Sequence, residues 1–336
     1  MKVGVVGAGV VGSATARALA RAGHDVTVCE QFDVGHTRGS SHGESRIYRY
    51  SYPDERYVAM MIEALPLWRE LEAECGDQLL IRTEGLDTGK PVTEHAVALE
   101  AHGIEFEILD GAEVRRRWPM LRLDGGDVLY QPDGGIIRAE PAWQAFAAGA
   151  RAAGARFERA RVEELKNDAA AAILTADGEE LFDSIVVTAG GWARDLLLTC
   201  DIDIPTRTTR ETIAFFDIDR SPPTLVDWAE PTAYALPNPS RGLKAGEHIA
   251  GPITDPDVAE GANTVAVERL KEWVAERYPT AEPEPWHAES CLYTNTSDES
   301  FILERHGNVV VGSPCSGHGF KFAPLNGALL AALATG

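Results

Sequence analysis

The chain is short of the positive charge that several classes of protein need. Its 31 lysine and arginine residues face 52 aspartate and glutamate residues, so the formal net charge is −21. Nucleic-acid binding and docking on anionic membranes both depend on a surplus of cations. The charge therefore argues against both kinds of partner. Lysine is the scarcer cation, and its positions are Lys2, Lys90, Lys166, Lys244, Lys271 and Lys321.

Cysteine is also sparse, with 5 residues at Cys29, Cys75, Cys200, Cys291 and Cys315. Their number is odd and no pair has the C-x-x-C spacing, which argues against a disulfide framework and against a zinc site. No apolar run reaches the roughly 18 residues that a membrane span needs. No charged leader or cleavage site precedes the first strand pattern. We expect a cytoplasmic protein with free thiols and no metal site.

The length and the hydrophobic content predict two domains. The 336 residues exceed one average domain, and 44% hydrophobic residues are ample for sizeable cores. Strand-then-helix patterns lie at the beginning, the middle and the end of the chain, with proline-rich strand patterns between them. We therefore expect an α/β (mixed α+β) fold in which two discontinuous domains are interleaved.

The N-terminal segment carries a dinucleotide-binding pattern. A short apolar strand leads into Gly7-x-Gly9-x-x-Gly12, a helix follows, and the next strand ends at Glu30. The glycines allow a tight turn, close approach to a pyrophosphate and close helix packing, and the acid suits ribose hydroxyls. The alternative is an ordinary glycine turn, and the turn alone does not separate FAD from NAD. The candidate cofactor-binding residues here are Gly7, Gly9, Val10, Val11, Gly12 and Glu30.

A polar loop follows the second strand, at residues 39–49. It is rich in glycine and serine and then becomes basic. A nicotinamide-binding domain would continue with a regular strand and helix at this point. A long polar loop instead suits a cofactor that extends away from its pyrophosphate, as FAD does. The alternative is a surface loop with incidental arginines.

Two patterns near the C-terminus are not needed for a core. Cys291-Leu292-Tyr293-Thr294 places a thiol close to an aromatic hydroxyl, and Ser316-Gly317-His318-Gly319-Phe320-Lys321-Phe322 forms a glycine-flanked turn that ends in a cation. Combined with the N-terminal glycine turn, they indicate a flavoenzyme that bonds its flavin covalently.

The chain resembles the amine-oxidising flavoprotein family that includes D-amino-acid oxidase and glycine oxidase. It is most similar to the branch of monomeric sarcosine oxidase and N-methyltryptophan oxidase. Four blocks carry the resemblance: residues 7–30, residues 36–49, Tyr234 with Gly242-Leu243-Lys244-Ala245-Gly246-Glu247-His248, and the two C-terminal patterns. They occur in the family's order over nearly the whole chain.

The resemblance implies a Rossmann-like FAD-binding domain interleaved with a mixed-sheet substrate-binding domain. The first comprises residues 1–80, 139–205 and 287–336, and the second comprises residues 81–138 and 206–286. It also assigns further cofactor contacts to the polar loop, to the turn after the strand at residues 184–187 and to the C-terminal turn. These residues are Ser41, His42, Arg46, Ala189, Gly190, Trp192, Cys291, Gly317, His318, Gly319 and Lys321.

The resemblance gives Cys291 a thioether to the 8α-methyl group of the flavin, that is, an 8α-S-cysteinyl FAD. The alternative is a buried structural cysteine, the usual fate of a free thiol. Cys315 is the rival thiol, and we interpret it as packing. Arg46 would lie near the flavin ring, where a cation stabilises the reduced, anionic flavin.

Arg49 and Lys321 match the pair that binds the substrate carboxylate, since a carboxylate in a dry pocket needs cationic donors. The alternatives are a surface ion pair for Arg49 and a solvated side chain for Lys321. Lys244 matches the lysine that activates oxygen, where a fixed ammonium stabilises developing superoxide. Its alternative is an exposed lysine on a glycine-flanked turn.

The remaining candidates line the expected substrate pocket. His248 would bind substrate and tune the charge of the amine, and Tyr234 and Tyr293 would hydrogen-bond substrate. His318 would lie near the flavin. A single histidine or tyrosine more often has a structural role, which remains the alternative for each of these residues.

The function expected from these residues is an FAD-dependent oxidase of secondary amino acids, N-methyl or cyclic. It would be sarcosine oxidase-like, giving an imine and then hydrogen peroxide from O2, and would act as a monomer. The alternatives on the same fold are an FAD-dependent amino acid dehydrogenase and an enzyme of the D-amino-acid or glycine oxidase type. A flavin-binding protein without amine turnover is the alternative from a different class.

Overall fold

The structure is a computed structural model that describes residues 1–336. Its helices are α1 (Val10–Arg21), α2 (Glu55–Cys75), α3 (Val92–Ala101), α4 (Gly111–Arg117), α5 (Ala139–Ala152), α6 (Ala193–Leu198), α7 (Thr264–Arg277) and α8 (Ala323–Thr335). Two short 3-10 turns, Gly190–Trp192 and Phe320–Phe322, precede α6 and α8.

The strands fall into four sheets. They are β1 (Lys2–Val6), β2 (Asp25–Glu30), β3 (Ser45–Tyr48), β4 (Leu80–Arg82), β5 (Gly85–Thr88), β6 (Glu107–Leu109), β7 (Val128–Gln131), β8 (Gly135–Arg138), β9 (Arg156–Arg159), β10 (Val162–Asn167), β11 (Ala171–Thr175), β12 (Gly178–Phe182), β13 (Ser184–Val187), β14 (Arg207–Phe216), β15 (Thr224–Asp227), β16 (Ala233–Pro237), β17 (Leu243–Glu247), β18 (His287–Asn295), β19 (Ile302–His306) and β20 (Val309–Ser313).

A six-stranded sheet in the order β19-β20-β13-β1-β2-β9 forms the dinucleotide-binding half. All its pairs are parallel except β19 with β20. Its central strands are buried along nearly their whole length, which is why they consist of apolar residues. α1 and α8 pack on this sheet, and α5 packs against α1. α1 and α8 are packed so closely that a Cβ atom on Gly327 would lie 2.7 Å from the backbone carbonyl carbon of Ala14.

An eight-stranded mixed sheet in the order β18-β14-β17-β16-β15-β5-β7-β6 forms the other half. Its pairs are antiparallel except β15 with β5. α7 lies on β14 and β17 and begins at Asn263, whose side chain accepts from the backbone N–H groups of Val265 and Ala266. Two three-stranded sheets, β3-β8-β4 and β10-β11-β12, complete the fold.

α2 fixes the C-terminal turn in place. It begins at Asp54, which accepts from the Arg56 N–H group, and packs through Trp68 into the largest apolar cluster. The Trp68 indole donates a 2.7 Å hydrogen bond to the Lys321 carbonyl. The position of the Lys321 backbone is therefore set by a buried helix.

The predicted α/β class with mixed sheets is confirmed. One local prediction is wrong, because the polar loop at residues 39–49 contains β3, which pairs with β8. Two further patterns in the sequence mislead. The apolar pattern of residues 157–165 predicts one strand, whereas these residues belong to β9 and β10 in different sheets, and the segment 80–137, whose pattern predicts strands and turns, contains α3 and α4.

The predicted domain boundaries stay a prediction, with one adjustment. The division assigned residues 287–336 to the FAD-binding domain, but β18 pairs with β14 along its length and so extends the eight-stranded sheet. Cys291 and Tyr293 consequently lie on the mixed sheet, where both line a cavity shared with the glycine turn after β1. No helix is both long and apolar enough to cross a membrane.

Candidate active site

A cavity of about 910 Å³ extends between the two large sheets. Its wall includes every candidate residue named from the sequence except Gly12, which lies behind the turn. It runs from Gly7 and Glu30, at the carboxyl ends of β1 and β2, to Tyr234 and Lys244 on β16 and β17. Residues that are far apart in sequence are thus brought to one cavity of a size suited to a dinucleotide and a small ligand.

The glycine turn has the geometry that a pyrophosphate site requires. Gly7 has a φ of 94°, a backbone conformation that favours glycine, and a Cβ atom on Gly12 would lie 1.9 Å from the Gly7 carbonyl oxygen. The first N–H groups of α1 have no acceptor within the helix. That of Val10 donates to the Ser41 hydroxyl at 2.9 Å, so the polar loop closes over the start of α1.

Glu30 stands at the end of β2 and is held by backbone donors. Its carboxylate accepts from the N–H groups of Ala8 at 2.8 Å and Phe32 at 3.0 Å. The side chain is buried yet lines the cavity. A carboxylate fixed in this way can accept further hydrogen bonds from ribose hydroxyls.

A cluster of hydrogen bonds to Asp257 borders this end of the cavity, and it was not predicted from the sequence. Trp192 donates from its indole to the Asp257 carboxylate at 2.8 Å, and Arg161 pairs with the same carboxylate at 3.1 Å. Arg38 donates to the Asp257 carbonyl at 2.8 Å. Trp192 is thereby tied to the segment between β17 and α7.

Arg46 organises the polar loop. Its Nη2 atom donates to the carbonyls of Ser40 at 2.7 Å and His42 at 2.6 Å, and its guanidinium lies 5.4 Å from the centre of the Phe320 ring. His42 is buried with no partner at Nε2. Burial, and then the charges of Arg46 and Lys244, lower the pKa of His42 to about 4, so its imidazole is neutral.

Lys244 is a buried cation on β17 and not a surface lysine on a turn. Its side chain is 4% exposed, and the ammonium donates to the Ser45 carbonyl of β3 at 3.0 Å. Burial, with a further contribution from Arg46, lowers the pKa of Lys244 to about 7. The group therefore changes protonation near neutral pH.

Cys291 lies on β18 within the electrostatic influence of both cations. Burial raises the pKa of its thiol to about 11, although Arg46 and Lys244 act in the opposite direction. Cys315, the rival thiol, accepts a hydrogen bond from the Thr294 N–H group at 3.4 Å and also borders the cavity.

The Tyr52 ring lies close to both cations of the predicted carboxylate site. The Arg49 guanidinium is 4.4 Å from the ring centre and the Lys321 ammonium is 5.4 Å from it. Lys321 donates to the Tyr52 hydroxyl at 2.8 Å and to the His318 carbonyl at 2.7 Å. No carboxylate pairs with Lys321, and burial, followed by the charge of Arg49, holds its pKa well below the usual range.

The phenols and the imidazole expected to contact substrate are also gathered here. The hydroxyls of Tyr234 and Tyr293 are 3.5 Å apart, and burial raises the pKa of both. His248 contacts the Glu299 carboxylate through Nε2 at 3.0 Å. Gly317 has to be glycine, because a Cβ atom there would lie 2.3 Å from the Tyr293 ring.

Tyr52, Asp87 and Glu299 were missed by the sequence reading. Glu299 contacts His248 through its carboxylate, and its carbonyl is 3.0 Å from Nε2 of His318. The alternation of tyrosines at positions 48, 50 and 52 signals a strand-like segment that includes Arg49, and it could have pointed to Tyr52. Asp87 and Glu299 have no comparable signal.

Two observations indicate that the residues lining the cavity fit an FAD molecule. The turn around Gly7 and Gly12 leaves no room for side chains where a pyrophosphate would approach, and the polar atom of His42 is buried without a partner beside the loop that Arg46 organises. No group of three or more histidine, cysteine, aspartate or glutamate side chains is placed to hold a metal ion.

Comparison with known proteins also indicates an FAD-dependent oxidoreductase. A family described as FAD dependent oxidoreductase matches residues 2–333. The monomeric sarcosine oxidase of Bacillus sp. (strain B-0618) is 33% identical, with 98% of this chain and 91% of that protein covered. The peroxisomal sarcosine oxidase of Homo sapiens is 34% identical, with 97% and 90% covered. The open form of NikD, an unusual amino acid oxidase, superimposes with a TM-score of 0.90 at 28% identity, covering 99% and 93% of the two chains.

Proposed function

The chain belongs to the family of FAD-dependent oxidoreductases, and from this premise we propose that it is an oxidase of secondary amino acids. The observation that carries the proposal is the convergence of three buried cations, Arg49, Lys244 and Lys321, on the cavity that begins at the glycine turn. Two of them suit a carboxylate and the third suits oxygen.

The residues that would hold FAD follow the length of the cavity. The glycine turn and α1 would receive the pyrophosphate and Glu30 the adenosine ribose. Ser41, His42 and Arg46 of the polar loop, the 189–192 turn and the 317–321 turn would hold the rest. When bound, FAD supplies the acceptor for a hydride from the carbon beside the amine nitrogen and passes the electrons to oxygen as hydrogen peroxide.

Arg49 and Lys321 would bind the substrate carboxylate. Both are buried, and a carboxylate entering such a site gains charge-assisted hydrogen bonds that compensate for lost hydration. Lys321 has no acidic partner, so the incoming carboxylate supplies the missing negative charge and favours the protonated ammonium. Selectivity for amino acids over simple amines would originate here.

The substrate amine would meet Tyr234, Tyr293 and His248. Because burial raises the pKa of both phenols, they stay protonated and act as hydrogen-bond donors or acceptors without accepting a proton from the substrate. The substrate would react as the free amine, so no side chain would need to remove a proton from its nitrogen. The rate should therefore follow the ionisation of the amine itself.

Lys244 would serve the oxygen reaction. Its ammonium is fixed by the Ser45 carbonyl, and a fixed cation in a dry site stabilises the negative charge that develops as oxygen is reduced. This residue is the reason to propose an oxidase in preference to a dehydrogenase that passes electrons to a quinone or a protein.

Cys291 would tether the cofactor through its sulfur and the 8α-methyl carbon of the flavin. Forming this bond would be a two-electron oxidation: the thiol and the methyl group would each give up one proton, and oxygen would accept the two electrons. Burial raises the pKa of the Cys291 thiol, and the charges of Arg46 and Lys244 oppose that rise and favour the thiolate that this reaction needs.

Anaerobic mixing of the purified flavoprotein with N-methyl and cyclic amino acids tests the function. We expect at least one of them to bleach the flavin absorbance, and glycine and D-alanine to do so far more slowly. On admission of air, peroxide should form in proportion to substrate. Bleaching by none of the secondary amino acids would contradict the proposal, and turnover with an artificial dye but not with oxygen would indicate a dehydrogenase.

A further inference from the structure

A buried carboxylate lies directly behind Arg49. Asp87, on β5, is 2% exposed and does not reach the cavity wall. Its Oδ1 atom accepts from the Trp228 indole at 2.9 Å and from Arg49 Nη1 at 3.4 Å, and its Oδ2 atom accepts from the Ser51 hydroxyl at 2.5 Å. A carboxylate that is buried this deeply loses its hydration, and several hydrogen-bond donors are needed to compensate for that loss.

Arg49 makes all its hydrogen bonds within the protein through one of its three guanidinium nitrogens. Nη1 donates to the Ser51 carbonyl, to the Ser51 hydroxyl at 3.1 Å and to Asp87. Nε and Nη2 donate to nothing in the protein, and Arg49 lines the cavity. The guanidinium is also packed between two rings, with Tyr52 at 4.4 Å and Trp228 at 5.2 Å from its carbon.

Arg49 is also the cation that neutralises Asp87. The other basic side chain nearby is His95, whose Nδ1 atom is 3.8 Å from Asp87 and whose ring nitrogens make no hydrogen bonds. Burial lowers the pKa of His95 to about 4, so its ring is uncharged at neutral pH. The orientation of Arg49 is therefore set by its hydrogen bond to Asp87 as well as by ring packing.

We propose that Asp87 is a positioning residue for carboxylate recognition: it holds Arg49 by Nη1, so that the edge formed by Nε and Nη2 faces the ligand. This inference rests on the proposed function of Arg49. Two parallel N–H groups on one edge match the two oxygens of a carboxylate. An arginine free to rotate would present that edge only part of the time.

Two substitutions distinguish the hydrogen bonds that Asp87 makes from its negative charge. In Asp87→Asn the amide oxygen can replace Oδ1, which accepts from both Arg49 and Trp228, while the amide NH2 group donates to Ser51. Asp87→Ala removes all three contacts. If Asp87 acts by position, the asparagine variant resembles the wild type and the alanine variant does not.

The experiment titrates the flavin absorbance of each holoenzyme with cyclopentanecarboxylate and, separately, with its amide. Neither ligand can be oxidised as an amine, so binding is measured apart from turnover. In Asp87→Ala we expect Kd for the carboxylate to rise about tenfold, the loss expected for a charged hydrogen bond, and Kd for the amide to change less than about twofold. Asp87→Asn should stay within about threefold for both ligands.

Asp133→Asn is the matched control, because Asp133 forms an exposed ion pair with Arg82. Ser51→Ala removes one contact to Asp87 and one to Arg49 and covers the case in which Asp87→Ala does not fold. It should weaken carboxylate binding selectively, by about threefold.

Three results would overturn the proposal. The first is an equal loss for carboxylate and amide, which indicates a general structural role. The second is a loss in Asp87→Asn as large as in Asp87→Ala, which indicates charge alone. The third is a wild-type enzyme that binds the amide as tightly as the carboxylate, which removes the role of Arg49. Bleaching of the flavin by secondary amino acids reports on the proposed function independently of these results.

Discussion

The ammonium of Lys321 donates a 2.8 Å hydrogen bond to the hydroxyl of Tyr52, a residue 269 positions away in the sequence. The same Tyr52 ring contacts the Arg49 guanidinium. One side chain thus sets the spacing of two cations that come from opposite ends of the chain. The predicted carboxylate site depends on three residues, of which the sequence suggested two.

Tyr52→Phe removes this hydrogen bond and keeps the ring. We expect KM for a secondary amino acid to rise about tenfold, the effect of one hydrogen bond from a charged group, because Lys321 is less firmly oriented. The rate of flavin bleaching at saturating substrate should change much less. Tyr278→Phe is the control, since Tyr278 is buried away from the cavity and its hydroxyl has no partner. A similar rise in KM in both variants would contradict the role of Tyr52.

Cys291→Ser tests the proposed flavin link. After acid precipitation, we expect yellow pellets from the wild type and from Cys315→Ser, and a yellow supernatant from Cys291→Ser. A serine hydroxyl is too weak an acid to replace the thiolate. Cys315 is the matched control because it borders the same cavity. Colour in the supernatant of the wild type would show that no link forms.

Gly12→Ala tests the glycine turn. The new Cβ atom would lie 1.9 Å from the Gly7 carbonyl oxygen and 2.6 Å from the Thr188 hydroxyl, so the turn must shift. We expect loss of bound flavin and a destabilisation of about 1–3 kcal/mol, the usual cost of overpacking. Gly261→Ala, where a Cβ atom meets nothing within 4 Å, should keep both flavin content and Tm.

The features that could be predicted from the sequence are mostly local. The glycine turn and Glu30 belong to one strand–helix–strand unit, whose geometry follows from adjacent residues. β18 could not be placed, because its partner β14 is a distant segment and pairing depends on the whole sheet. β3 was missed for the same reason, since its few residues form a strand only through β8.

The burial of individual side chains could not be predicted from the sequence either. The sequence leaves an exposed turn lysine as the alternative for Lys244, and the position of β17 between β14 and β16 excludes it. α4, with seven residues, is too short to be stable alone and depends on tertiary contacts. Asp87 is an acid in a short buried strand, a position where composition predicts an apolar residue.

His95 should make the protein sensitive to acid. Its pKa is about 4 when folded and about 6.5 when unfolded. The unfolded chain therefore binds the extra proton first as pH falls, and stability that is complete above about pH 6.5 declines towards pH 4, by up to about 3 kcal/mol.

His95→Phe keeps an aromatic ring in a site where neither ring nitrogen has a partner. We expect a higher Tm than the wild type, with the difference growing between pH 7 and pH 5. His306, whose side chain is 40% exposed, provides the control His306→Phe, which should not alter the pH dependence. An identical decline of Tm with acid in wild type and His95→Phe would contradict the assignment to His95.

Lys244 should control the reaction with oxygen and its pH dependence. The pKa of Lys244 is about 7, so the ammonium is present below neutral pH and is lost above it. If the ammonium stabilises the charge on oxygen, re-oxidation of the reduced flavin is fast at pH 6 and slows as pH rises through 7. Lys244→Met should be slower by about 10²–10³-fold, as for other lost electrostatic donors, and should show no such pH dependence.

Stopped-flow mixing of the substrate-reduced enzyme with oxygenated buffer measures this rate, and anaerobic bleaching measures the preceding half-reaction, which the substitution should largely preserve. Lys166→Met is the control, since the Lys166 side chain on β10 is 38% exposed and pairs with Glu179. A re-oxidation rate that is unchanged in Lys244→Met, or that rises with pH in the wild type, would exclude the ammonium as the group that serves oxygen.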